Sequence, residues 1–350
     1  MDTNESRLEL IEIETGAATE DLADAVRSGL SHGNKTLPCR FFYDEEGSRI
    51  FEQICDLPEY YPTRTERQIL ADNADELAAL FAEPTVLVEL GSGSSTKTRL
   101  VIEAFLRRHG ELRYVPVDIS RSILEESAHD LLARYPELEV TAIAAEYHHG
   151  LSKLRTSEFT QESEHDAGHA FERKLILWLG SSIGNFSPDA AESFLRRVHQ
   201  SMGASDRLLV GMDLRKEPRV LERAYDDSDG VTARFNKNLL RRINRELGAD
   251  FDLESFDHRS VWNDDDGRVE MHLQSKDEQV VAIEDLDMQI RFDKGETIHT
   301  ECSYKYSLEQ IEEMGARSGY RLERQWLDTG ERFSVNLFAP ICSSLSLIHI

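Results

Sequence analysis

The chain has 350 residues, of which 40% are hydrophobic and 30% charged, and a formal net charge of −26. That length supports one large or two modest domains with full hydrophobic cores. No run approaches the roughly 20 apolar residues that span a bilayer, and so large an excess of acid repels phosphate backbones. Neither a membrane nor a nucleic acid is therefore expected as a partner.

Residues 1–6 have neither the basic start nor the apolar core of a secretory signal, so cytoplasmic residence is expected. Cys39, Cys55, Cys302 and Cys342 show no Cys-x-x-Cys spacing, which fits a reducing compartment and offers no zinc knuckle. Apolar periodicity predicts a helix over 18–30. A stretch rich in proline and aromatic residues then runs from Leu37 to Thr65, with a short helix near Ser48–Cys55. A long helix follows over 65–81, with Ile69, Leu70, Leu77 and Leu80 as its apolar contacts. Strand and helix then alternate: strand 85–90, helix 97–108, strand 113–117, helix 120–134, strand 138–144, an irregular insert, strand 174–180, helix 188–201 and strand 206–213. Units of this length imply a mainly parallel sheet covered by helices on both faces.

At about residue 215 the alternation breaks. Helices over 217–225 and 230–247 precede strands at 268–274, 278–283, 287–292 and 297–304, and the earlier theme returns with helix 307–318 and strands 321–328 and 333–338. Residues 215–305 thus read as an insertion that packs with residues 1–64 as a second α+β lobe, while 65–214 and 306–340 form a doubly wound α/β core. The tail, 341–350, is expected to be disordered. Arg234 to Arg245 is a basic run, but Phe235, Leu239 and Ile243 share one side of it, so the charges read as the solvated face of a helix. Asn263 to Gly267 lacks the ligand spacing of a calcium loop and reads as a hairpin turn. His148, His149, His165 and His169 lie near an acidic, irregular insert without convergent geometry, so no metal is expected.

Residues 86–98 carry the strongest single motif: an apolar run, Glu89, then Gly91-Ser92-Gly93 opening a helix. A second apolar run ends in Asp118, 25 residues beyond Gly93. Glycines there let backbone approach a ligand, and an acid at the tip of the next strand can accept both hydroxyls of a ribose. The pairing marks the site of an adenosine-bearing cofactor. A dinucleotide fingerprint would place a third glycine where Thr96 stands, whereas Glu89 two residues before Gly91 suits a loop for S-adenosylmethionine, which has no pyrophosphate to cradle.

Separated blocks then resemble the histidine Nα-methyltransferases of the ergothioneine pathway. They are Phe41-Phe42-Tyr43-Asp44 with Gly47-Ser48, Leu57-Pro58-Glu59-Tyr60-Tyr61-Pro62-Thr63-Arg64, Gly180-Ser181-Ser182-Ile183-Gly184-Asn185, Ala224-Tyr225-Asp226-Asp227 with Gly230-Val231-Thr232, and Glu301-Cys302-Ser303. The resemblance implies a Rossmann-like methyltransferase core with a substrate-binding lobe, and threefold methylation of the α-amine of L-histidine to hercynine; a monomer is expected. It places Tyr43, Gly91, Ser92, Gly93, Lys97 and Asp118 at the cofactor, with Glu146 and Tyr147 against its adenine where the family usually has Gly-Asp-Phe. Tyr60, Asn185 and Tyr225 fall on positions that hold the amino acid's polar head, Tyr60 and Asn185 serving the catalytic step. Met271, Glu301 and Ser303 fall on positions that line or bond the imidazole.

Glu301 and Ser303 are two apart on a strand and so face one side. A carboxylate beside a hydroxyl can engage both imidazole nitrogens, one as donor and one as acceptor. The rival readings are methylation of another amino acid such as tryptophan, and a binding protein that keeps the fold without catalysis. Glu301 argues against the first, because a buried carboxylate facing an indole carbon edge would lack a partner.

Overall fold

The computed structural model describes residues 5–13, 21–154 and 173–341. Its first half runs β1 (Leu8–Glu12), α1 (Leu22–Leu30), β2 (Lys35–Thr36), α2 (Glu45–Asp56), α3 (Tyr61–Ala79), β3 (Thr85–Leu90), α4 (Thr98–His109), β4 (Leu112–Asp118), α5 (Arg121–Arg134), β5 (Leu138–Ala144) and α6 (Tyr147–Leu154). There follow β6 (Arg173–Trp178), α7 (Pro188–Gln200), β7 (Arg207–Asp213), α8 (Pro218–Tyr225) and α9 (Val231–Leu247). The chain ends through β8 (Phe256–Asn263), β9 (Arg268–Ser275), β10 (Gln279–Ile283), β11 (Met288–Phe292), β12 (Thr297–Tyr304), α10 (Leu308–Arg317), β13 (Tyr320–Leu327) and β14 (Phe333–Pro340).

Eight strands form the main sheet in the order β1-β5-β4-β3-β6-β7-β14-β13. Strands β1 to β7 in it are parallel, and the β13–β14 hairpin closes one side antiparallel against β7. β3 is buried along its whole length, as a central parallel strand covered on both faces must be. Two apolar clusters flank the sheet: one holds Ile69, Leu77, Phe105 and Leu131, and the other holds Trp178, Phe194, Ile311 and Tyr320. A third cluster gathers Leu22, Phe42, Ile50, Tyr60 and Tyr61 with Leu221, Phe235, Leu273 and Ile298. It lies between the helices and the smaller sheet, β2-β12-β9-β8.

Three strands have no counterpart in the sequence reading. β1 is a short edge strand on β5, and β2 is two residues paired with β12. β8, Phe-Asp-His-Arg-Ser-Val-Trp-Asn, is polar and half-exposed, and it is ordered by its full pairing with β9. The long helix starts earlier than expected, because Pro62 sits in its first turn, where its missing N–H costs nothing. The expected irregular insert opens as α6, and its remainder (155–172), with His165 and His169, lies outside the described residues, as do 342–350 of the tail. The arginines of α9 are largely partnered: Arg242 with Glu246 at 3.1 Å, Arg245 with Asp44 at 2.7 Å, and Arg234 with Gln53 at 3.1 Å. Asn263 to Gly267 is the turn between β8 and β9, closed by Gly267 N–H on the Asn263 carbonyl at 2.8 Å.

Pairing in β12 shifts between His299 and Glu301, so Thr300 is the extra residue of a bulge. The shift leaves Glu301 opposite Met271 and Cys302 opposite Glu270. Bulges of this kind re-aim side chains. Here Glu301 and Ser303 share the face of Met271, while His299 and Cys302 share the other.

Gly211 on β7 leaves room for the fully buried Glu66 of α3: a Cβ there would stand 1.8 Å from Glu66 Oε1. Gly211→Ala should therefore destabilise the fold by about 1–3 kcal/mol, read as a lower urea midpoint at unchanged slope. A neutral result would show that Glu66 is free to move.

Candidate active site

At the C-terminal end of β3 the chain turns through Gly91 and Gly93, both with positive φ (+73° and +49°), conformations that disfavour any side chain. Gly91 N–H donates to the Val117 carbonyl at 2.8 Å and Gly93 N–H to Asp118 Oδ2 at 2.8 Å, while Ser120 N–H holds Asp118 Oδ1 at 2.9 Å. Burial nonetheless raises the Asp118 carboxyl above its usual range. Glu89 lies beneath this loop, not in its mouth. It accepts from Thr98 Oγ1 at 2.6 Å and from the Tyr114 hydroxyl, and burial pushes it up to about 7. Lys97 pairs with Glu66, whose carboxylate also takes the Gly180 N–H at 2.9 Å. That junction ties the glycine loop to α3 and to the end of β6.

Tyr147 points its hydroxyl at Gly91, where an added Cβ would meet it at 2.6 Å, and its ring lies among Trp178 (6.2 Å) and Phe194 (5.9 Å). Glu146 is half-buried with Arg40 Nε at 3.7 Å. The Ser92 hydroxyl is buried and has no hydrogen-bond partner among the described residues. Side-chain-free backbone, an acid at the next strand tip and an orphaned hydroxyl fit an adenosine-bearing cofactor.

Facing that loop stand the residues expected at the substrate. Tyr43 packs edge-on to Phe51 and Phe235, each at 5.6 Å, and Tyr60 lies 6.1 Å from Tyr225. Burial holds the phenols of Tyr43 and Tyr60 well above their usual pKa, with Glu301 adding to both, so they remain protonated. Asn185 ends the turn after β6, and its neighbour Gly184 abuts β12 so closely that a Cβ would stand 2.8 Å from the Tyr304 carbonyl oxygen, with Ser303 Oγ at 3.5 Å. Tyr225 and Ser303 share a hydrogen bond of 2.7 Å. Met271 is buried beside Glu301 across the β9–β12 pair. The Glu301 carboxylate has no hydrogen bond to the described residues, and burial pushes it up to about 7 against the pull of Lys305.

A sequence profile of the family described as histidine-specific, S-adenosylmethionine-dependent methyltransferases matches residues 22–340. The chain belongs to that family. It is 40% identical to the histidine N-alpha-methyltransferase of Mycolicibacterium smegmatis over 92% of this chain and 95% of that protein. It is 39% identical to the protein of the same name from Mycobacterium tuberculosis over 90% and 93%. A 4-dimethylallyltryptophan N-methyltransferase of Epichloe festucae is 28% identical over 93% and 96%. The cofactor of this methyltransferase is S-adenosylmethionine.

The structure adds residues that the motifs did not. Asp213, at the end of β7, is fully buried; it accepts from the Tyr61 hydroxyl at 2.7 Å and pairs with Lys216 at 2.5 Å and Lys305 at 2.9 Å. Burial alone would raise Asp213, but the two ammoniums hold it below the usual carboxylate range, while burial draws Lys216 down to about 8. Lys305 continues the two-residue period of Glu301 and Ser303, a signal the sequence offered. On the opposite face, Glu270, His272 and His299 bring ligand atoms within 4.8 Å of one another. Each ring already has a polar partner without an ion: His272 Nε2 faces Glu270 at 3.1 Å and His299 Nε2 the Glu301 carbonyl at 3.0 Å.

Glu301 also carries a stability consequence. Between pH 4.5, its ordinary value, and about 7, the folded protein holds this proton more tightly than the unfolded chain, so the group's contribution falls as pH rises. Glu301→Gln should gain about 1–3 kcal/mol of unfolding free energy at pH 8, with the gain shrinking towards pH 5. A gain that does not depend on pH would refute the placement of a strained carboxylate there.

Proposed function

We propose that this methyltransferase moves methyl groups from S-adenosylmethionine to the α-amine of free L-histidine, up to the trimethylated betaine hercynine. Residues 65–214 and 306–340 hold the cofactor, and residues 1–64 and 215–305 form the substrate lobe. The protein acts as a monomer on a small molecule in the cytoplasm. The observation that carries the reading is the half-buried Glu301 carboxylate, without a hydrogen bond to the described residues, two residues from Ser303 on one face of β12. Together they offer one acceptor and one donor, which is what the two nitrogens of a neutral imidazole require. A buried site built for such bonds rejects side chains that leave them unmade.

Gly91, Ser92, Gly93, Lys97 and Asp118 hold the cofactor's ribose and amino-acid ends, Tyr43 lies by its methionine portion, and Glu146 and Tyr147 face its adenine. When bound, the cofactor supplies a methyl group on a sulfonium, open to in-line attack by an amine. Tyr60, Asn185 and Tyr225 orient the amino acid's amine and carboxylate. An α-amino group with a pKa near 8 loses its proton at pH 7 at a cost of about 1 kcal/mol, and somewhat more in a free amino acid. No strong base is needed, and the protonated Tyr60 can accept the amine's hydrogen bond or pass its proton to water. Orientation contributes more, roughly 7–11 kcal/mol where reactants are well aligned.

The relative named for a tryptophan derivative keeps the second reading in view. An indole would leave Glu301 without a partner, at the cost of a buried, unsatisfied carboxyl. Incubation with S-adenosylmethionine and the twenty free amino acids, followed by mass spectrometry, should yield histidine carrying one to three added methyl groups and no other product. Methylated tryptophan would overturn the substrate assignment. Glu301→Ala should raise the histidine KM at least about 10-fold while S-adenosylhomocysteine affinity stays within twofold by calorimetry. Equal loss of both would remove Glu301 from the imidazole.

A further inference from the structure

Lys305 touches neither the glycine loop nor the carboxylate of Glu301, yet it is among the most deeply buried cations in the described structure, with a side-chain exposure of 0%. An ammonium has three hydrogens and no lone pair. All three are used: on Asp213 Oδ2 at 2.9 Å, on the Tyr225 hydroxyl at 2.9 Å and on Ser303 Oγ at 2.7 Å. Tyr225 and Ser303 then share a further hydrogen at 2.7 Å. Either hydroxyl can donate in that bond; the phenol, the more acidic of the two, is taken as the donor.

Counting hydrogens gives an asymmetric result. With the phenol donating, Ser303 Oγ accepts from Lys305 and from Tyr225, which occupies both of its lone pairs. Its single hydrogen is left over, and the group can only donate. Without the ammonium, Ser303 keeps a free lone pair and can turn either way.

We propose that Lys305 is a positioning residue which, through Tyr225 and Ser303, locks the serine hydroxyl as a donor towards the substrate ring. The inference rests on the proposed histidine substrate. It assigns the bound imidazole one state: neutral, with its N–H on Glu301 and its lone pair on Ser303. Discrimination is then set behind the pocket, by a residue that meets no substrate atom.

Lys305→Met is the informative variant. Methionine is unbranched and of similar length, and Asp213 keeps Lys216 at 2.5 Å and the Tyr61 hydroxyl at 2.7 Å, so a balanced ion pair remains and the fold should survive. The assay compares kcat/KM for histidine with that for two pyrrole analogues, 3-(pyrrol-2-yl)alanine and 3-(pyrrol-3-yl)alanine. Each replaces one ring nitrogen by C–H, so neither offers an acceptor. The parent should prefer histidine over the better analogue by about 30-fold or more. In Lys305→Met that preference should fall about tenfold, with S-adenosylhomocysteine affinity unchanged. Ser303→Ala should abolish the preference, and adding Lys305→Met to it should change nothing further. A Lys305→Met protein that keeps the full preference, or additive losses in the double variant, would overturn the proposal. If Lys305→Met does not fold, the decision passes to Tyr225→Phe, in which Lys305 still fills one Ser303 lone pair. A preference lost there as fully as in Ser303→Ala would refute a lock held by Lys305. Failure of the parent to methylate histidine at all would instead sink the substrate reading on which the inference rests.

Discussion

A carboxylate taken out of water must be answered by charge, and at Asp213 it is answered twice. Lys216 follows it in the chain, and Lys305 arrives from the far end of β12. Tyr61, from the first turn of α3, completes the shell. Two distant parts of the chain, α3 and the end of β12, are thereby fixed to the end of β7. The last strand of the smaller sheet cannot shift relative to the main sheet without uncovering a buried ion, which is far costlier to leave unpaired than the pair is stabilising. The excess positive charge of the group lies under Tyr225 and Ser303, the hydroxyls proposed to meet the substrate.

A second buried acid plays the corresponding part on the cofactor side. Glu66 takes Lys97 from the glycine loop and the Gly180 N–H from the end of β6, in a space that Gly211 keeps open. Both junctions join a loop at the C-terminal edge of the sheet to α3, which open α/β folds use to build sites at that edge. Glu89 of the motif turns out to be a buttress: it accepts from Thr98 and Tyr114, and Asp118 alone of the two acids stands at the loop's mouth.

Glu301 is the counterexample to these satisfied acids. It is half-buried, without a hydrogen bond among the described residues and pushed up to about 7, so it weakens the fold at neutral pH. A protein retains such a group where a ligand completes it, and the family to which the chain belongs is defined by histidine. The bulge at Thr300 is what points it inward: in a regular strand, His299, Glu301 and Ser303 would share one face, and the outer histidine would intrude.

Much of this was legible in the residues themselves. The glycine turn followed by an acid-tipped strand needs only local spacing, because backbone approach and ribose recognition are satisfied within one βαβ unit, and the alternation of strand and helix followed from periodicity. The pairing of Glu301 with Ser303 followed from the two-residue repeat of a strand. What the chain order could not reveal was that Tyr61 turns its hydroxyl onto Asp213, 152 residues away in sequence. Nor could it reveal that Glu66, Gly211, Asp213 and Lys305 act together, for they come from four elements far apart in sequence. Local chemistry declares itself in a motif, whereas the neutralisation of a buried charge depends on where the fold brings its partner, and that was decided only in three dimensions.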